Sequence, residues 1–194
     1  GADIAHPSLA MDEGFATAMG SMIMDDTSQI NTFGTNPPSA DVLLANIETD
    51  SRDDTALDTD FTGFSKLDGF YSEQSLIEVI WDLFDSGING NADDDGLALG
   101  FKPLYTVMTN GHASADAFTS IYSFIHHLKI ARPNDSDAID AILLAENIDM
   151  TGADEFENTN VLTLYTPLTV GATPISTDSD GDPLQTFSQW GNAT

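Results

Sequence analysis

Pro7-Ser8-Leu9-Ala10-Met11-Asp12-Glu13-Gly14-Phe15-Ala16-Thr17-Ala18-Met19-Gly20-Ser21-Met22-Ile23-Met24 is the stretch from which the fold class follows. Leu9, Phe15, Ala16, Met19, Met22 and Ile23 recur at the intervals of one helical face. Ser8 follows Pro7 and can cap a first turn with its hydroxyl, so the spacing predicts a helix from about Ser8 to Met24. The same signals extend along the chain. After Asp25-Asp26-Thr27-Ser28 and the Asn36-Pro37-Pro38 loop, Ser39 or Asp41 is expected to open a shorter helix through Asn46 or beyond. Residues 50 to 70, acidic and rich in Thr and Gly, read as an irregular connection. Ser72 caps a predicted helix to about Asp85 with Leu76, Ile77, Ile80, Leu83 and Phe84 inward, and Glu73 complements the positive end of its dipole.

Pro103 in a first turn predicts a short helix to about Thr109. Asp116 is expected to begin another, in which Phe118, Ile121, Tyr122, Ile125 and Leu128 share a face. Pro133 ends that region, and Asp135 or Ser136 restarts a helix toward Ile148 with Ile139, Ile142 and Leu143 apolar. Beyond Thr151 the pattern changes, as Val161, Leu162, Leu164, Tyr165, Leu168, Val170 and Ile175 alternate with Thr, Pro and Gly. The expected fold is mainly α. Residues 1–150 form a helical unit, and residues 151–194 form a β-rich tail or the start of a truncated β module. The chain begins at Gly1, which suggests a trimmed start.

The 194 residues carry 32 acidic side chains against 5 Lys and Arg, a formal charge of −27. Five scattered cations cannot displace counterions from phosphates, so nucleic acid is excluded as a partner. An anionic membrane surface would repel the chain, and no apolar run approaches the roughly 18 residues of a membrane-spanning helix. Disorder is not implied, because 41% of residues are hydrophobic and their spacing is periodic. Of the acids, 25 are Asp and 7 are Glu, which puts most of them at loops and helix starts. Little Lys and abundant Asp fit a protein exposed to high salt, which screens self-repulsion, so the expected location is secreted or periplasmic in marine or saline surroundings; the lack of Cys means no disulfide framework and neither proves nor excludes export.

Met11-Asp12-Glu13-Gly14-Phe15-Ala16-Thr17 carries the most informative local pattern. A Gly inside a helix costs about 1 kcal/mol relative to Ala, so Gly14 calls for a packing reason. The string resembles the second zinc motif of the gluzincin metallopeptidases, in which a helix bearing Asp-Glu or a variant, then Gly-Phe-Ala, supplies the third metal ligand. The resemblance implies that Glu13 binds zinc and that the small Gly14 and Ala16 let the helix lie close to its partner. Gly69-Phe70-Tyr71-Ser72-Glu73-Gln74-Ser75, Ile80-Trp81-Asp82-Leu83-Phe84-Asp85, Leu99-Gly100-Phe101-Lys102-Pro103-Leu104-Tyr105 and Phe118-Thr119-Ser120-Ile121-Tyr122-Ser123-Phe124 look like strings that follow a zincin-like catalytic segment in secreted bacterial proteins. Leu164-Tyr165-Thr166-Pro167-Leu168-Thr169-Val170 is similar to the start of a β module in the same proteins.

The family's His-Glu-x-x-His helix, with two histidine ligands and a general-base Glu, is not in this sequence. The histidines are His6, His112, His126 and His127, and no two are spaced by four. The expectation is therefore the C-terminal part of a larger zinc peptidase acting on peptide or protein substrates, inactive alone. By the same resemblance a Tyr or His from the following helical region stabilises the oxyanion. Tyr71 is the first candidate and His112 the second.

A further constellation runs from Asp85 to Asp95, where Asp85, Asn89, Asn91, Asp93, Asp94 and Asp95 offer the hard oxygens that calcium takes. No Glu closes the loop as in an EF-hand. Asp178-Ser179-Asp180-Gly181-Asp182 is a shorter acidic turn of the same type. His126 and His127 are adjacent on a helix, point in different directions and suit the negative end of its dipole rather than a shared metal. Two other readings remain open from sequence: a non-catalytic extracytoplasmic binding or structural module stabilised by calcium, and a salt-adapted helical domain without metal.

Overall fold

The computed structural model describes residues 5–33, 41–47, 51–53, 68–85, 96–150 and 154–157. Among them the chain is mainly α. Five helices, α1 (Pro7–Met24), α2 (Glu73–Asp82), α3 (Phe101–Thr106), α4 (Ile121–Ala131) and α5 (Ser136–Ala145), surround one apolar core. Strands β1 (Ser28–Phe33), β2 (Asp41–Asn46) and β3 (Ser51–Asp53) form an antiparallel sheet in that order. None of the described helices is long and apolar enough to cross a membrane. The expected β segment at 151–194 lies outside the described residues except at 154–157.

α1 forms as its periodicity predicts, but it is rotated from the expected stripe. Ala10, Met11, Gly14, Phe15, Ala18 and Met22 are buried, whereas Leu9, Ala16, Ile23 and Met24 are exposed. The reason is close approach. A β-carbon at Gly14 would lie 2.9 Å from Leu76 Cβ and 3.1 Å from the Glu73 carbonyl oxygen, so Ala10, Gly14 and Ala18 form a shallow ridge on which α2 lies. Gly14 thus has the packing role expected of it, while Ala16 faces away. The cap also differs from the Ser8 expectation. His6 is the N-cap, its Nδ1 accepting the Ser8 backbone N–H at 3.1 Å, and Pro7 takes the first helical position. At the far end Asp25 adopts a left-handed conformation with φ 54°, and the Asp26 side chain accepts the Ser28 N–H at 2.9 Å, which holds its carboxyl below the ordinary range.

The expected helix at Ser39 or Asp41 to Asn46 is instead strand β2. Asp41-Val42-Leu43-Leu44-Ala45-Asn46 is a short apolar run whose periodicity fits either state. Its pairing decides: Ser28 to Phe33 run antiparallel from Asn46 to Asp41, and Leu44 to Asn46 pair with Asp53 to Ser51. β3 likewise falls within the stretch read as irregular. Ile47, directly after β2, is buried and donates its N–H to the Thr27 carbonyl at 3.0 Å, which ties the sheet to the end of α1.

Ser72 caps α2 as expected, its hydroxyl accepting the Ser75 N–H, and Leu76, Ile77, Val79, Ile80 and Trp81 are buried. Leu83 is buried just beyond the helix. The Leu99 N–H donates to the Leu83 carbonyl at 3.0 Å and Gly100 N–H to Phe84 at 2.9 Å, so the chain returns to the end of α2 before α3 starts. Pro103 lies in the first turn of α3, but regular α-geometry stops at Thr106 and continues as a π turn over Val107–Gly111 and a 3₁₀ turn over His112–Ser114.

α4 starts at Ile121 rather than near Asp116. Ser120 and Ser123 each accept the other's backbone N–H, a reciprocal cap that sets the start, and Phe118 is left exposed outside the helix. Ile121, Tyr122, Phe124, Ile125 and Leu128 are buried. Phe124 sits at the centre of the core, edge-on to Phe15 of α1 at 5.8 Å and to His112 at 5.8 Å. α5 follows a 3₁₀ turn at Pro133–Asp135, buries Ile139, Ile142 and Leu143, and pairs Asp140 with Lys129 of α4.

Candidate functional site

The ridge that brings α1 onto α2 also decides where Glu13 goes. Preceding Gly14, it projects at the exposed margin of the contact, beside the first turn of α2. There it meets Glu73. The half-buried Glu73 carboxyl is held above the ordinary range, first by its burial and then by the charge of Glu13 and a hydrogen bond between the two side chains. Two carboxylates this close repel one another, which disfavours ionisation of Glu73. Carboxylate oxygens are hard donors of the kind that divalent cations take.

Tyr71 belongs to the same corner. Its carbonyl accepts the Ala5 N–H at 2.9 Å, which fastens the start of α1 beside the start of α2. Its hydroxyl donates to the Asp68 carbonyl at 3.2 Å, and its ring lies over Gly69 and edge-on to Phe70 at 5.2 Å. Gly69 has φ +148°, and a β-carbon there would come within 2.9 Å of the Tyr71 ring. Glu13 and Tyr71, identified separately in the sequence, thus both lie near the start of α2, Glu13 against Glu73 and Tyr71 against Asp68, Gly69 and Phe70. Glu73 itself was read only as a dipole partner, because its contact with Glu13 depends on helix packing that no local pattern encodes.

His112 lies elsewhere. It is only 5% exposed, against Phe124, on the turn that follows the π segment. Its Nδ1 lies 3.2 Å from Met108 Sδ, and its Nε2 is buried with no hydrogen-bond partner among the described residues. Burial and then the nearby His127 lower its pKa to about 4, so the ring is neutral at neutral pH. His127 packs against Gly111, where a β-carbon would lie 3.0 Å from its ring, and its Nε2 is 3.1 Å from Glu155 Oε2. The other oxygen of Glu155 accepts the Asp116 N–H at 3.0 Å, so residues 154–157 are tied to α4 and the loop before it. His126 and His127 meet edge to face, their ring centroids 5.3 Å apart.

Of the calcium candidates, Asp85 is described. It is buried next to the point where Leu99 and Gly100 rejoin the end of α2. Asn89, Asn91, Asp93, Asp94 and Asp95 lie outside the described residues, as do Asp178 to Asp182. Among the described residues no three His, Asp or Glu side chains stand close enough to hold a metal ion together. No family model, curated protein or solved structure matches the chain.

Proposed function

We propose that this chain is the helical C-terminal part of a secreted, gluzincin-like zinc metallopeptidase, in which Glu13 supplies a carboxylate ligand. The observation that supports this reading is the Glu13–Glu73 pair: two carboxyl side chains side by side at the margin of a close helix contact, with the Glu73 pKa raised first by burial and then by the charge of Glu13. Oxygen donors fit one position of a catalytic zinc site, which takes three protein ligands and leaves a place for water. Zinc there would polarise the scissile carbonyl and acidify that water. This chain's residues would hold and orient. Gly14 fixes the height of Glu13 above α2, Glu73 stands beside the ligating carboxylate, and Tyr71 lies just before α2 as the candidate oxyanion donor. The histidine ligands would come from a segment outside these residues.

The test is to express this chain joined to its upstream sequence and to measure zinc content and peptide hydrolysis for wild type and Glu13→Gln. The expected result is one bound zinc and a loss of hydrolysis on the order of a hundredfold in the variant, as for other impaired metal sites. Wild-type protein that binds no zinc, or a Glu13→Gln variant as active as wild type, would reject the reading. Glu13 is exposed, so its replacement should leave stability within about 0.5 kcal/mol.

A second reading, a non-catalytic extracytoplasmic module stabilised by calcium, draws on the buried Asp85 beside the bonds that hold Leu99 and Gly100 to Leu83 and Phe84. A melting temperature that does not respond to EDTA or added calcium would remove it.

A further inference from the structure

The helical run from α3 through the π turn carries a surface that the carboxylate corner does not use. Its exposed residues come in pairs four apart, at 101–102, 105–106, 109–110 and 113–114. An α-helix turns once in 3.6 residues, so a four-residue repeat would drift around it. The wider π turn at Val107–Gly111 takes up the excess and keeps the pairs on one side, as a strip roughly 20 Å long. π turns are uncommon and are found disproportionately at functional positions. Residues 96–115 hold none of the chain's 32 acids, and Lys102 is the one charged side chain of the strip. The Phe101 and Tyr105 rings lie nearly parallel, 5.4 Å and 17° apart, and are 36% and 47% exposed. Beyond them the polar side chains turn their hydrogens onto their own helix: the Thr109 hydroxyl donates to the Tyr105 carbonyl at 2.8 Å, the Asn110 amide to the Thr106 carbonyl at 3.0 Å, and the Ser114 hydroxyl to the Asn110 carbonyl. The two hydroxyls then have no further hydrogen to give, and the amide oxygen of Asn110 is an acceptor, so the strip sets oxygen acceptors in line with two aromatic rings.

We propose that this strip binds an uncharged oligosaccharide chain, with sugar rings packed on Phe101 and Tyr105 and sugar hydroxyls donating to Thr109, Asn110 and Ser114. A pyranose has an apolar C–H face and a rim of hydroxyls, each with a hydrogen to give, which complements rings followed by acceptors. Exposed aromatic rings supply large, rigid contact area at low entropic cost. Other occupants fit the donor set less well. An anion brings acceptors only, and the charge of −27 repels it. A second copy of the chain would set these oxygens against one another, and an apolar protein surface would bury them without partners. The absence of acids from residues 96–115 leaves nothing there to select a cation, and it spares a neutral ligand the cost of stripping water from carboxylates. The length of the strip suits several linked sugars rather than one. This site is independent of the peptidase reading.

The experiment titrates the full chain, by calorimetry, with soluble oligosaccharides of cellulose, laminarin, starch and chitin, and with alginate as the anionic control, while NMR spectra follow the rings of the 4 tyrosines and 11 phenylalanines. Saturable binding to at least one uncharged oligosaccharide is expected, with shifts at Tyr105 and Phe101 before any other ring and no binding of alginate. Tyr105→Ala should weaken binding by about tenfold or more with an unchanged circular dichroism spectrum, because the ring is exposed. Thr109→Val, which keeps the shape and removes an acceptor, should weaken it by roughly threefold. Absence of saturable binding to all four oligosaccharides, alginate bound as tightly as they are, or a Tyr105→Ala affinity equal to wild type would overturn the proposal. So would a concentration-dependent dimer in sedimentation that Tyr105→Ala abolishes, since the strip would then be a contact between copies.

Discussion

The α1–α2 junction and the π turn against α4 solve the burial of polar chemistry in opposite ways. At the junction the backbone is buried and the chemistry is left outside: Ala10, Gly14 and Ala18 bring the helices together while Glu13 stays at the rim. At the π turn a titratable ring, His112, is taken into the core and kept neutral. Glu73, beside Glu13, is raised in pKa by burial and then by the like charge, and the base in the core, His112, is lowered by burial. Both groups therefore favour their neutral forms, and they respond to acid with opposite sign.

Phe124 joins the two regions, touching Phe15 of α1 on one side and His112 on the other, so the largest effect is expected from removing it. Phe124→Ala should cost about 3–5 kcal/mol in urea unfolding and disturb both regions together. A loss confined to one region, seen by hydrogen exchange, would mean that they are separate folding units.

Next in size is the ridge. Gly14→Leu places a side chain where even a β-carbon would be 2.9 Å from Leu76, and should cost on the order of 1–3 kcal/mol. Gly20, on the same helix, has nothing within 4 Å of its β-carbon position, so Gly20→Ala should stabilise by roughly 0.5–1 kcal/mol through helix propensity. If both variants lose stability, the assignment of the buried face of α1 is incorrect.

The smallest effects are those of pH, and they separate the regions most sharply. His112 has a folded pKa of about 4, below its ordinary 6.5, so the unfolded chain binds more protons between those values and stability falls as pH drops through that window. The stability difference between wild type and His112→Phe should therefore shift against wild type on acidification from pH 6.5 to 4. Glu73 has a folded pKa above its ordinary 4.5, so the native state binds more protons there and the penalty is present above the folded pKa. Glu73→Gln should be the more stable protein near pH 7, and its advantage should shrink as pH falls toward 4.5. Two curves with the same slope would contradict the contrast between the regions.

Sequence patterns made the helical character legible because long amphipathic segments such as Ser72–Asp85 and Ser136–Ile148 carry their caps and periodicity locally. The stripe on α1 was harder to read. Hydrophobicity favours Leu9 and Ile23, but the packing selects the smallest residues, and only the partner helix reveals that choice. β2 is not legible locally, because a six-residue apolar run takes its state from the strand beside it. For the candidate site, the Glu13-Gly14 pair showed in the motif, whereas Glu73 did not, since it gains its role from a contact between helices. Glu155 was invisible for the same reason, 28 residues from His127 in sequence and 3.1 Å away in space.

The pair of hydrogen bonds from Leu99 to Leu83 and from Gly100 to Phe84 has a practical consequence for engineering and for evolution. They hold Leu99 and Gly100 against Leu83 and Phe84 at the buried end of α2, a closure made entirely by residues outside 86–95. Once such a base exists, lengthening the segment costs only closure entropy, about 0.6 kcal/mol per doubling. The chain therefore carries a permissive insertion point next to its best-packed helix, where a reporter or binding peptide can be grafted and where related genes are free to differ in length.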